Sequence, residues 1–289
     1  MGKKVLVTGA NSGFGLLTVK SLAANGHQVV GTMRNPEGRP EGKAAIEEAG
    51  ASVVDLDVTS EESVNQGVQS AIDILGGLDV VVNNAGVGVL GMQEHFTTDD
   101  MHKLFNVNVY GVHRVNRAAI PHMRQQGSGL LVHVSSLLGR MSLPFYGPYN
   151  ASKWALEALA EGYKVELSGF GIESVLVEPG GFPTSFFGSL IQPSDTSRAE
   201  SYGEFMEAPK QMFDSFEGAL AQNPEQNPQL VADAISGLVD APTGQRPTRT
   251  VVDKMGMGDH IQGYNDQLDQ ITHGIYSAFG IEGMLNVKS

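Results

Sequence analysis

Short apolar runs alternate with longer stretches of helical periodicity through the first part of the chain. Several of these runs are rich in valine and nearly continuous, which is typical of strands that are buried on both faces. A repeated order of strand, helix and strand predicts right-handed crossovers and a parallel sheet covered by helices on both sides. The predicted strands are 4–8, 28–33, 52–56, 78–83, 129–136 and 172–179, and the predicted helices are 13–25, 41–49, 60–75, 98–126 and 149–168.

The alternation is lost in the second part of the chain. Residues 184–226 mix Pro, Ser, Gly, Phe and Met without one clear period, and we expect this segment, the lid, to form a mobile cover over a site. We interpret the whole chain, 1–289, as a single α/β domain whose core, 3–183, is a doubly wound parallel sheet. The C-terminal segment, 227–289, is predicted to hold a helix at 228–239, an edge strand at 249–253 and a terminal helix within 258–280.

The composition supports one packed globular domain. Hydrophobic residues make up 41% and charged residues 18% of the 289 positions. Lysine and arginine total 19 and the acidic residues 32, so the formal charge is −13, which argues against binding to nucleic acid or to an anionic membrane. A small anionic ligand is still compatible with this charge, because the backbone N–H groups of a glycine loop can bind phosphate.

The absence of cysteine excludes disulfides, thiolate catalysis and cysteine-based metal sites. The histidines do not follow a metal-ligand spacing, so no metal site is predicted. No apolar run reaches about 18 residues, and the first predicted strand begins too early to leave room for a signal peptide. We therefore expect a cytoplasmic protein without a membrane partner.

A glycine-rich loop, TGANSGFG, follows the first strand and opens the first helix. Glycine allows a tight turn there, lets the backbone approach a pyrophosphate and lets the helix lie close to the strand. Bound phosphates would meet the free N–H groups at the start of the helix. A flexible turn would also explain the glycines, but their place between a strand and a helix favours nucleotide binding. The candidate contacts are Gly9, Asn11, Ser12, Gly13, Phe14 and Gly15.

The end of the second strand indicates which dinucleotide would bind. An NAD site usually has an acidic residue there, about 20 residues beyond the loop, but this chain has Met33 followed by Arg34. The planar guanidinium of Arg34 suits a 2′-phosphate, so we expect NADP rather than NAD, although a solvated arginine would give the same sequence. At the end of the third strand, Asp57 and Val58 are candidates for contacts with the adenine. Asp57 could instead cap the next helix, a role that the following Thr-Ser pair fits better.

Polar and small residues also end the fourth and fifth strands, where the carboxyl ends of parallel strands face a ligand. After the fifth strand, YGPYNASKW opens a helix and sets Tyr149 and Lys153 one turn apart on one face. This pattern also occurs on ordinary surface helices, so its meaning depends on the residues around it. Ser136 lies 13 residues before Tyr149. The candidates at the fourth strand are Asn84, Ala85 and Gly86.

Taken together, these motifs resemble those of the short-chain dehydrogenase/reductase family. TGANSGFG, NNAG, NVNVYG, Ser136, YNASK and PGGFPT occur in the family's order and spacing and cover roughly 3–185. The segments SGFG and LPFYGPYNASK look most similar to the hydroxysteroid and retinol dehydrogenase branches. The resemblance implies a Rossmann-type fold and reversible hydride transfer between a nicotinamide cofactor and a ketone, aldehyde or secondary alcohol. Arg34 without a preceding acid is similar to the NADP-preferring members.

The resemblance also implies roles for individual residues. Tyr149 would be the general acid in carbonyl reduction and the base in alcohol oxidation, with Lys153 lowering its pKa and binding the nicotinamide ribose. Ser136 would bond to the substrate oxygen and set its distance from Tyr149. Asn108 would support a water that links Lys153 to solvent, and Asn106 is the nearby alternative.

The PGGFPT motif would lie at the nicotinamide end, where Pro179 and Gly180 would shape the turn. The Phe182 backbone would meet the carboxamide, and Thr184 would bond to it or to a phosphate. An ordinary loop would also explain a Pro-Gly-Gly sequence. The candidate substrate contacts are mostly apolar, so a hydrophobic substrate is predicted: steroid-like, retinoid-like or a small aryl ketone. They are Val87, Leu138, Met141, Tyr146, Phe182, Phe186 and Phe187.

Most members of the family form dimers or tetramers, so the resemblance implies a homodimer or homotetramer built on the helices at 98–126 and 149–168. Two other functions stay open. The first is a ketoreductase for acyl substrates on an acidic carrier protein, which would need a basic patch and is disfavoured by the net charge of −13. The second is a dinucleotide-binding sensor or scaffold without turnover, which the intact set of serine, tyrosine, lysine and asparagine candidates disfavours.

Overall fold

The computed structural model describes residues 2–288 of the chain. Within this range, the strands are β1 (Lys4–Val7), β2 (Gln28–Met33), β3 (Ser52–Asp55), β4 (Val80–Asn83), β5 (Gly129–Val134), β6 (Ile172–Pro179) and β7 (Arg249–Val252). The α-helices are α1 (Gly13–Ala24), α2 (Pro40–Glu48), α3 (Glu61–Leu75), α4 (Thr98–Phe105), α5 (Val112–Gln126), α6 (Gly147–Leu167), α7 (Ala199–Tyr202), α8 (Ala208–Ala221), α9 (Gln229–Asp240) and α10 (Gly258–Ala278).

The strands are all parallel and form one sheet in the order β3-β2-β1-β4-β5-β6-β7. The chain builds outward from β1 in both directions, so β1 pairs with β2 on one side and with β4 on the other. The connections that leave β1 and β4 therefore diverge, and a crevice opens at the carboxyl ends of these strands. The predicted doubly wound, Rossmann-type fold is confirmed, and its switch point sets the place where a ligand would bind.

The sheet is covered on both faces because alternate residues of each strand point to opposite sides. On one face, Val5 and Val7 of β1 belong to a cluster with Leu22 of α1 and Ile235 of α9. On the other face, Leu6 belongs to a cluster with side chains of α3 and α5. These side chains have no exposed surface, and burial of each large aliphatic side chain contributes roughly 1.5–3 kcal/mol. Packing on both faces explains the nearly continuous valine runs of the strands.

Every predicted strand is present, with one difference close to the site. β5 ends at Val134, so Ser135 and Ser136 lie in the loop beyond the strand. The Ser136 hydroxyl accepts a hydrogen bond from the N–H of Leu138 (3.1 Å) and begins a 3₁₀ turn, which ends the strand early. α6 likewise begins at Gly147, two residues before its predicted start, with a proline in its first turn where the missing N–H costs no helical bond.

The long helix predicted at 98–126 is interrupted in the structure. α4 ends at Phe105, a π-helical segment follows at Asn106–Gly111, and α5 begins at Val112. Single π-helical turns within α-helices are frequent at functional sites, and this one carries Asn108.

The lid contains regular structure that its sequence did not indicate. α7 and α8 both lie within it, although the segment shows no one clear period. α8 spaces Met212 and Phe216 by one helical turn, and both face a cavity rather than the core beneath the sheet. The lid begins with main-chain bonds to the segment after β4, where Leu90 N donates to the Ile191 carbonyl (3.1 Å) and Ile191 N donates to Gly88 (2.9 Å).

The terminal helix α10 lies within its predicted range and packs next to β7. Its Ile261 and Asn265 are buried, whereas Tyr264, Ile271 and Ile275 are between 41% and 58% exposed. The predicted edge strand is present as β7. Over 2–288, no helix combines the length and the apolar character that crossing a bilayer requires.

Candidate active site

One large cavity, of about 870 Å³, opens at the carboxyl ends of the strands beside the switch point. The glycine loop, the ends of β2 to β6 and the lid line it together. Most residues that the sequence singled out lie in this lining. They are Gly9, Asn11, Ser12, Gly13, Phe14, Arg34, Asp57, Val58, Asn84, Ala85, Gly86, Val87, Ser136, Leu138, Tyr146, Tyr149, Lys153, Pro179, Gly180, Phe182, Thr184, Phe186 and Phe187.

The glycine loop is fixed against the end of β4. Thr8 Oγ1 accepts hydrogen bonds from the N–H groups of Asn84 (3.0 Å) and Ala85 (3.1 Å), and Asn84 Nδ2 donates to the Gly9 carbonyl (3.0 Å). Gly9 has a φ of 64°, and a Cβ there would lie 2.9 Å from the Ala85 Cα, so only glycine fits. Ser12 makes no side-chain capping bond within the described chain, which leaves the first N–H groups of α1 available to an anion.

Gly15 and Met141 were predicted to contact ligands, but neither lies in the lining. A Cβ on Gly15 would lie 2.3 Å from the Gly9 carbonyl oxygen, so this glycine lets α1 pack against the loop instead. Met141 N donates to the Leu137 carbonyl (3.1 Å) and closes the turn after β5. Leu143, two residues further along, reaches the wall in place of Met141.

The far end of the cavity, after β2 and β3, carries Arg34 and Arg39, and Lys103 of α4 also lines the cavity. Arg34 was predicted, but Arg39 and Lys103 were missed because neither belongs to a motif. Burial opposes ionisation of Asp57, yet hydrogen bonds from Thr59 N (2.9 Å) and Oγ1 (2.7 Å), together with the Arg34 charge, hold its pKa below the ordinary value. This end of the cavity is therefore cationic around one carboxylate, in a chain that is acidic overall.

The helix after Asp57 has a cap of its own. Ser60 Oγ accepts from Ser63 N (3.2 Å) at the start of α3, as the sequence indicated, whereas Asp57 closes the turn before it. Asp57 thus keeps its carboxylate at the cavity wall.

Ser136, Tyr149 and Lys153 meet in the cavity between its two ends. Ser136 follows β5, and the other two stand one turn apart at the start of α6. The Ser136 hydroxyl accepts from Leu138 N and donates to the Pro179 carbonyl at 3.5 Å. This places the hydroxyl between the loops that leave β5 and β6.

The pKa of Tyr149 moves in the direction opposite to the one expected. Burial raises the pKa of its hydroxyl well above the ordinary value, and the Ser136 hydroxyl offsets only part of the rise. The expectation assumed that the Lys153 cation lies against the phenol. Instead, Lys153 Nζ donates to the Val134 carbonyl (2.9 Å) and lies 5.6 Å from the centre of the Tyr149 ring. The cost of desolvating a phenolate therefore dominates, and Tyr149 stays protonated at neutral pH.

Lys153 is itself perturbed, and a buried ionic network stands behind it. Burial lowers the pKa of Lys153 to about 8, while Glu157, one helical turn further on, acts in the opposite direction. Glu157 pairs with Arg140 (2.5 Å) and Arg249 (3.1 Å), and Arg140 also pairs with Glu178 (3.2 Å). These pairs join α6 to the turn after β5 and to β6 and β7. These pairs could not be predicted from the sequence, because the partners are far apart along the chain.

Asn108 lies behind the cavity wall, 1% exposed. Its Oδ1 accepts from Val87 N (2.9 Å), and its Nδ2 donates to the Val87 carbonyl (2.9 Å) and to Ser152 Oγ (3.1 Å). Ser152 Oγ in turn donates to the Tyr149 carbonyl (2.8 Å). The amide therefore joins the segment after β4 to the first turn of α6. Asn106, the alternative considered from the sequence, does line the cavity.

Aromatic rings of the lid close the other end of the cavity. The Phe186 ring centre lies 5.9 Å from that of Tyr149, and the Phe187 ring centre lies 5.5 Å from that of Phe216 and 5.8 Å from that of Phe213. Such ring pairs contribute roughly 0.5–1.5 kcal/mol beyond the area that they bury. Phe186 and Phe187 were predicted as substrate contacts and lie in this wall. Lid-side residues that sequence reasoning missed are Leu190, Ile191, Met212, Phe216 and Met257.

The fold and this site define a dinucleotide-binding oxidoreductase, and comparison with known proteins identifies the family. The model of the short chain dehydrogenase family matches 3–194. The chain is 36% identical over 200 residues to a 3-ketodihydrosphingosine reductase of Bacteroides thetaiotaomicron, covering 69% of this chain and 71% of the relative. It is 35% identical over 251 residues to retinol dehydrogenase 8 of Homo sapiens, covering 81% and 78%.

A solved structure agrees with these relatives. A short-chain dehydrogenase from Streptomyces avermitilis matches with a TM-score of 0.75 at 31% identity, covering 97% of this chain and 98% of the other. The chain therefore belongs to the short-chain dehydrogenase/reductase family, and it is an NAD(P)-dependent oxidoreductase acting on CH–OH groups or the corresponding carbonyls. Similar solved structures hold NADPH in some cases and NAD in others.

Proposed function

We propose that the protein is an NADP(H)-dependent oxidoreductase that interconverts a ketone or aldehyde and an alcohol, with a hydrophobic molecule as its substrate. The observation that carries this proposal is the meeting of Ser136, Tyr149 and Lys153 in one cavity with the glycine loop. Burying the amine of Lys153, only 6% exposed, costs free energy, and ionisable groups buried at such a cost are typical of functional sites.

In the reducing direction, Tyr149 donates its proton to the substrate oxygen. Its raised pKa keeps the phenol protonated at neutral pH, which is the form that reduction needs. Ser136 holds the same oxygen by a hydrogen bond and fixes its distance from Tyr149. When bound, the nicotinamide dinucleotide supplies the hydride for reduction or accepts it during oxidation.

Lys153 binds the ribose hydroxyls and returns a proton to Tyr149. A pKa of about 8 leaves its ammonium mostly protonated at neutral pH while making the proton easier to give up. We propose that a water held near Asn108 connects Lys153 to solvent. The Asn108 amide already bonds to the Val87 backbone and to Ser152. The proton path from Lys153 to solvent would therefore run beside this amide.

The residues of the cavity fit a dinucleotide. The Gly9 and Gly13 turn and the free N–H groups of α1 suit the pyrophosphate, and Asp57 with Val58 suits the adenine. A Cβ on Gly13 would lie 3.7 Å from the Thr184 Cβ, so Thr184 faces the glycine loop across the cleft and is placed to contact a phosphate or the carboxamide. The remaining nicotinamide contacts are proposed to be Pro179, Gly180 and Phe182.

NADP is favoured over NAD by the charges at the far end of the cavity. Arg34 follows β2 directly and is exposed, and Arg39, five residues further along, also lines the cavity. Among the described residues that line the cavity, the one acid is Asp57, which accepts two hydrogen bonds from Thr59 and follows β3 rather than β2. The Asp55 carboxylate beside Arg34 already accepts from Asn35 N (3.0 Å), so a 2′-phosphate would meet guanidinium groups next to a carboxylate that is engaged elsewhere.

A hydrophobic substrate is supported by the aromatic wall of the lid and by the relatives, two of which are named for 3-ketodihydrosphingosine and retinol. The charges of the lid do not favour reduction of acyl groups on an acidic carrier protein. Basic side chains of the lid are already paired: Arg198 lies 3.2 Å from Glu94, and Lys210 lies 2.5 Å from Asp214.

We also propose a homodimer or homotetramer. Tyr110 and Trp154 are 47% and 41% exposed on the helical region that the family resemblance assigns to assembly. Light scattering on the purified protein would measure the mass of the assembly. The cytoplasmic location expected from the sequence stays a prediction.

The test of this function is turnover of a carbonyl panel with NADPH, followed at the NADPH absorbance band. We expect Tyr149→Phe to lower kcat at least about 100-fold, because it removes the proton donor, while NADPH affinity stays within about threefold. Tyr163→Phe, on the same helix but outside the cavity, is the matched control and should keep its activity. Tight NADPH binding without turnover of any carbonyl would instead favour the sensor.

A further inference from the structure

The lid and the loop at the nicotinamide end share one buried side chain, Gln226, which is 1% exposed and lies five residues after the end of α8. Its Nε2 donates to the Gly181 carbonyl (2.7 Å) and to Asp253 Oδ1 (3.2 Å). Its Oε1 accepts from Lys254 N (2.6 Å). One side-chain amide thus joins the end of the lid, the loop after β6 and the segment after β7.

Asp253 extends this connection to α10. Its Oδ2 accepts two hydrogen bonds, each of 3.0 Å, from backbone N–H groups at the start of the helix. Its Oδ1 lies only 2.2 Å from where a Cβ on Gly180 would be, and Gly180 N donates to the Val252 carbonyl (2.9 Å). The corner between β7 and α10 therefore fixes Gly180 directly and Gly181 through Gln226.

The lid touches the same loop from the opposite side. A Cβ on Gly181 would lie 2.2 Å from the Phe216 Cζ, so a ring of α8 packs directly on this glycine. Phe216 is also in edge contact with Phe187 of the lid (5.5 Å). The two glycines are confined between the lid and the corner of β7 and α10. Phe182, which follows them directly, is 2% exposed and lines the cavity.

We propose that Gln226 is a positioning residue that couples the closed lid to the nicotinamide loop. Gln226 does not line the cavity, so it acts through the Gly181 carbonyl on the backbone of Phe182. If the end of the lid moves away, three hydrogen bonds of Gln226 are broken. They are those with the Gly181 carbonyl, the Asp253 carboxylate and the Lys254 N–H, and breaking them costs more free energy than separating apolar surfaces alone. An ordered nicotinamide loop and a closed lid therefore favour each other.

This inference rests on the proposed function. A comparison of NADPH binding with binding of the adenine half of the cofactor tests the coupling separately from that function. In Gln226→Met, which keeps the side-chain length but removes the amide, we expect the Kd of NADPH to rise about tenfold. The Kd of 2′,5′-ADP, which has the 2′-phosphate but no nicotinamide, should stay within about twofold, because the other end of the cavity is untouched. Gln222→Met, at an exposed glutamine of the same segment, is the matched control and should change neither Kd.

Limited trypsin digestion gives a second readout. Arg198 and Lys210 offer cleavage sites in the lid, with side chains 54% and 71% exposed. NADPH should slow lid cleavage about tenfold in the wild type but not in Gln226→Met, because the loop no longer holds the lid. If Gln226→Met does not fold, Gln226→Asn serves the same test, since it keeps an uncharged amide but is one methylene too short for the bond to Gly181.

Parallel weakening of NADPH and 2′,5′-ADP binding, or unchanged protection of the lid in the variant, would overturn the coupling and leave the proposed function intact. A wild type that binds neither molecule would overturn the proposed function, and the coupling with it.

Discussion

The core and the lid share one cavity but are built in different ways. In the core, the polar groups that face the cavity are held by main-chain bonds, as the Val134 carbonyl holds Lys153 and the Leu138 N–H holds Ser136. In the lid, Phe186 and Phe187 are held chiefly by contacts between rings. Changes in the core should therefore alter chemistry and cofactor choice, whereas changes in the lid should alter substrate affinity.

The largest difference between the core and the lid is expected in cofactor affinity, at the cofactor end of the core. Arg34→Ala should raise the Kd of NADPH about 30-fold, because it removes charge-assisted bonds to the 2′-phosphate. The Kd of NADH should change by less than about twofold, since NADH lacks that phosphate. Fluorescence titration measures both constants. Arg117→Ala, which removes a surface pair with Glu61 (3.3 Å) outside the cavity, is the control. Equal losses for the two cofactors would show that Arg34 does not read the phosphate.

A smaller and more selective effect is expected in the lid. Phe187→Ala removes the ring contacts with Phe213 and Phe216, so KM for a bulky apolar ketone should rise about tenfold. KM for a small ketone such as acetone should change less than about twofold, because it does not reach the lid. Phe170→Ala, at a ring that is 47% exposed and outside the cavity, is the control. A fall in kcat for both ketones would contradict the division between the two regions.

The core could be predicted from the sequence far better than the lid. The sheet and the glycine loop could be predicted because buried strands and phosphate loops restrict which residues can stand at each position. Ser136, Tyr149 and Lys153 could be placed together because they lie at fixed distances along two adjacent elements. The π-helical turn at Asn108 and the direction of the Tyr149 pKa could not. Both depend on which backbone group a side chain contacts in the folded protein. For Lys153 this group is the Val134 carbonyl.

The lid was the least predictable part for a related physical reason. Its residues pack on the cavity rather than on a regular layer, so their spacing does not repeat along the segment. Gln226 shows the limit most clearly, because its partners Gly181 and Asp253 are 45 and 27 residues away along the chain. Nothing in the local sequence around a glutamine indicates such partners.

The smallest effect on activity is expected where the start of the lid joins the core, at Asp100. Its Oδ2 accepts from Thr97 N (3.0 Å), and from Ser194 N (3.2 Å) and Oγ (2.6 Å) of the lid. Burial opposes ionisation, but these hydrogen bonds prevail and lower the pKa of Asp100 to about 2. Because this pKa is lower in the folded than in the unfolded chain, the stabilisation is fully present above about pH 4 and is lost as the pH falls towards 2.

Asp100→Asn should therefore lower the free energy of unfolding by about 1–2 kcal/mol at pH 7 and make stability depend less on pH between about 4 and 2. Urea unfolding at a series of pH values measures both quantities. Asp99→Asn is a matched control, because Asp99 is exposed in the same first turn of α4 and does not contact the lid. kcat should be unchanged in both variants, since neither residue lines the cavity. If Asp100→Asn kept the wild-type pH dependence, this carboxylate would not be what ties the lid to α4.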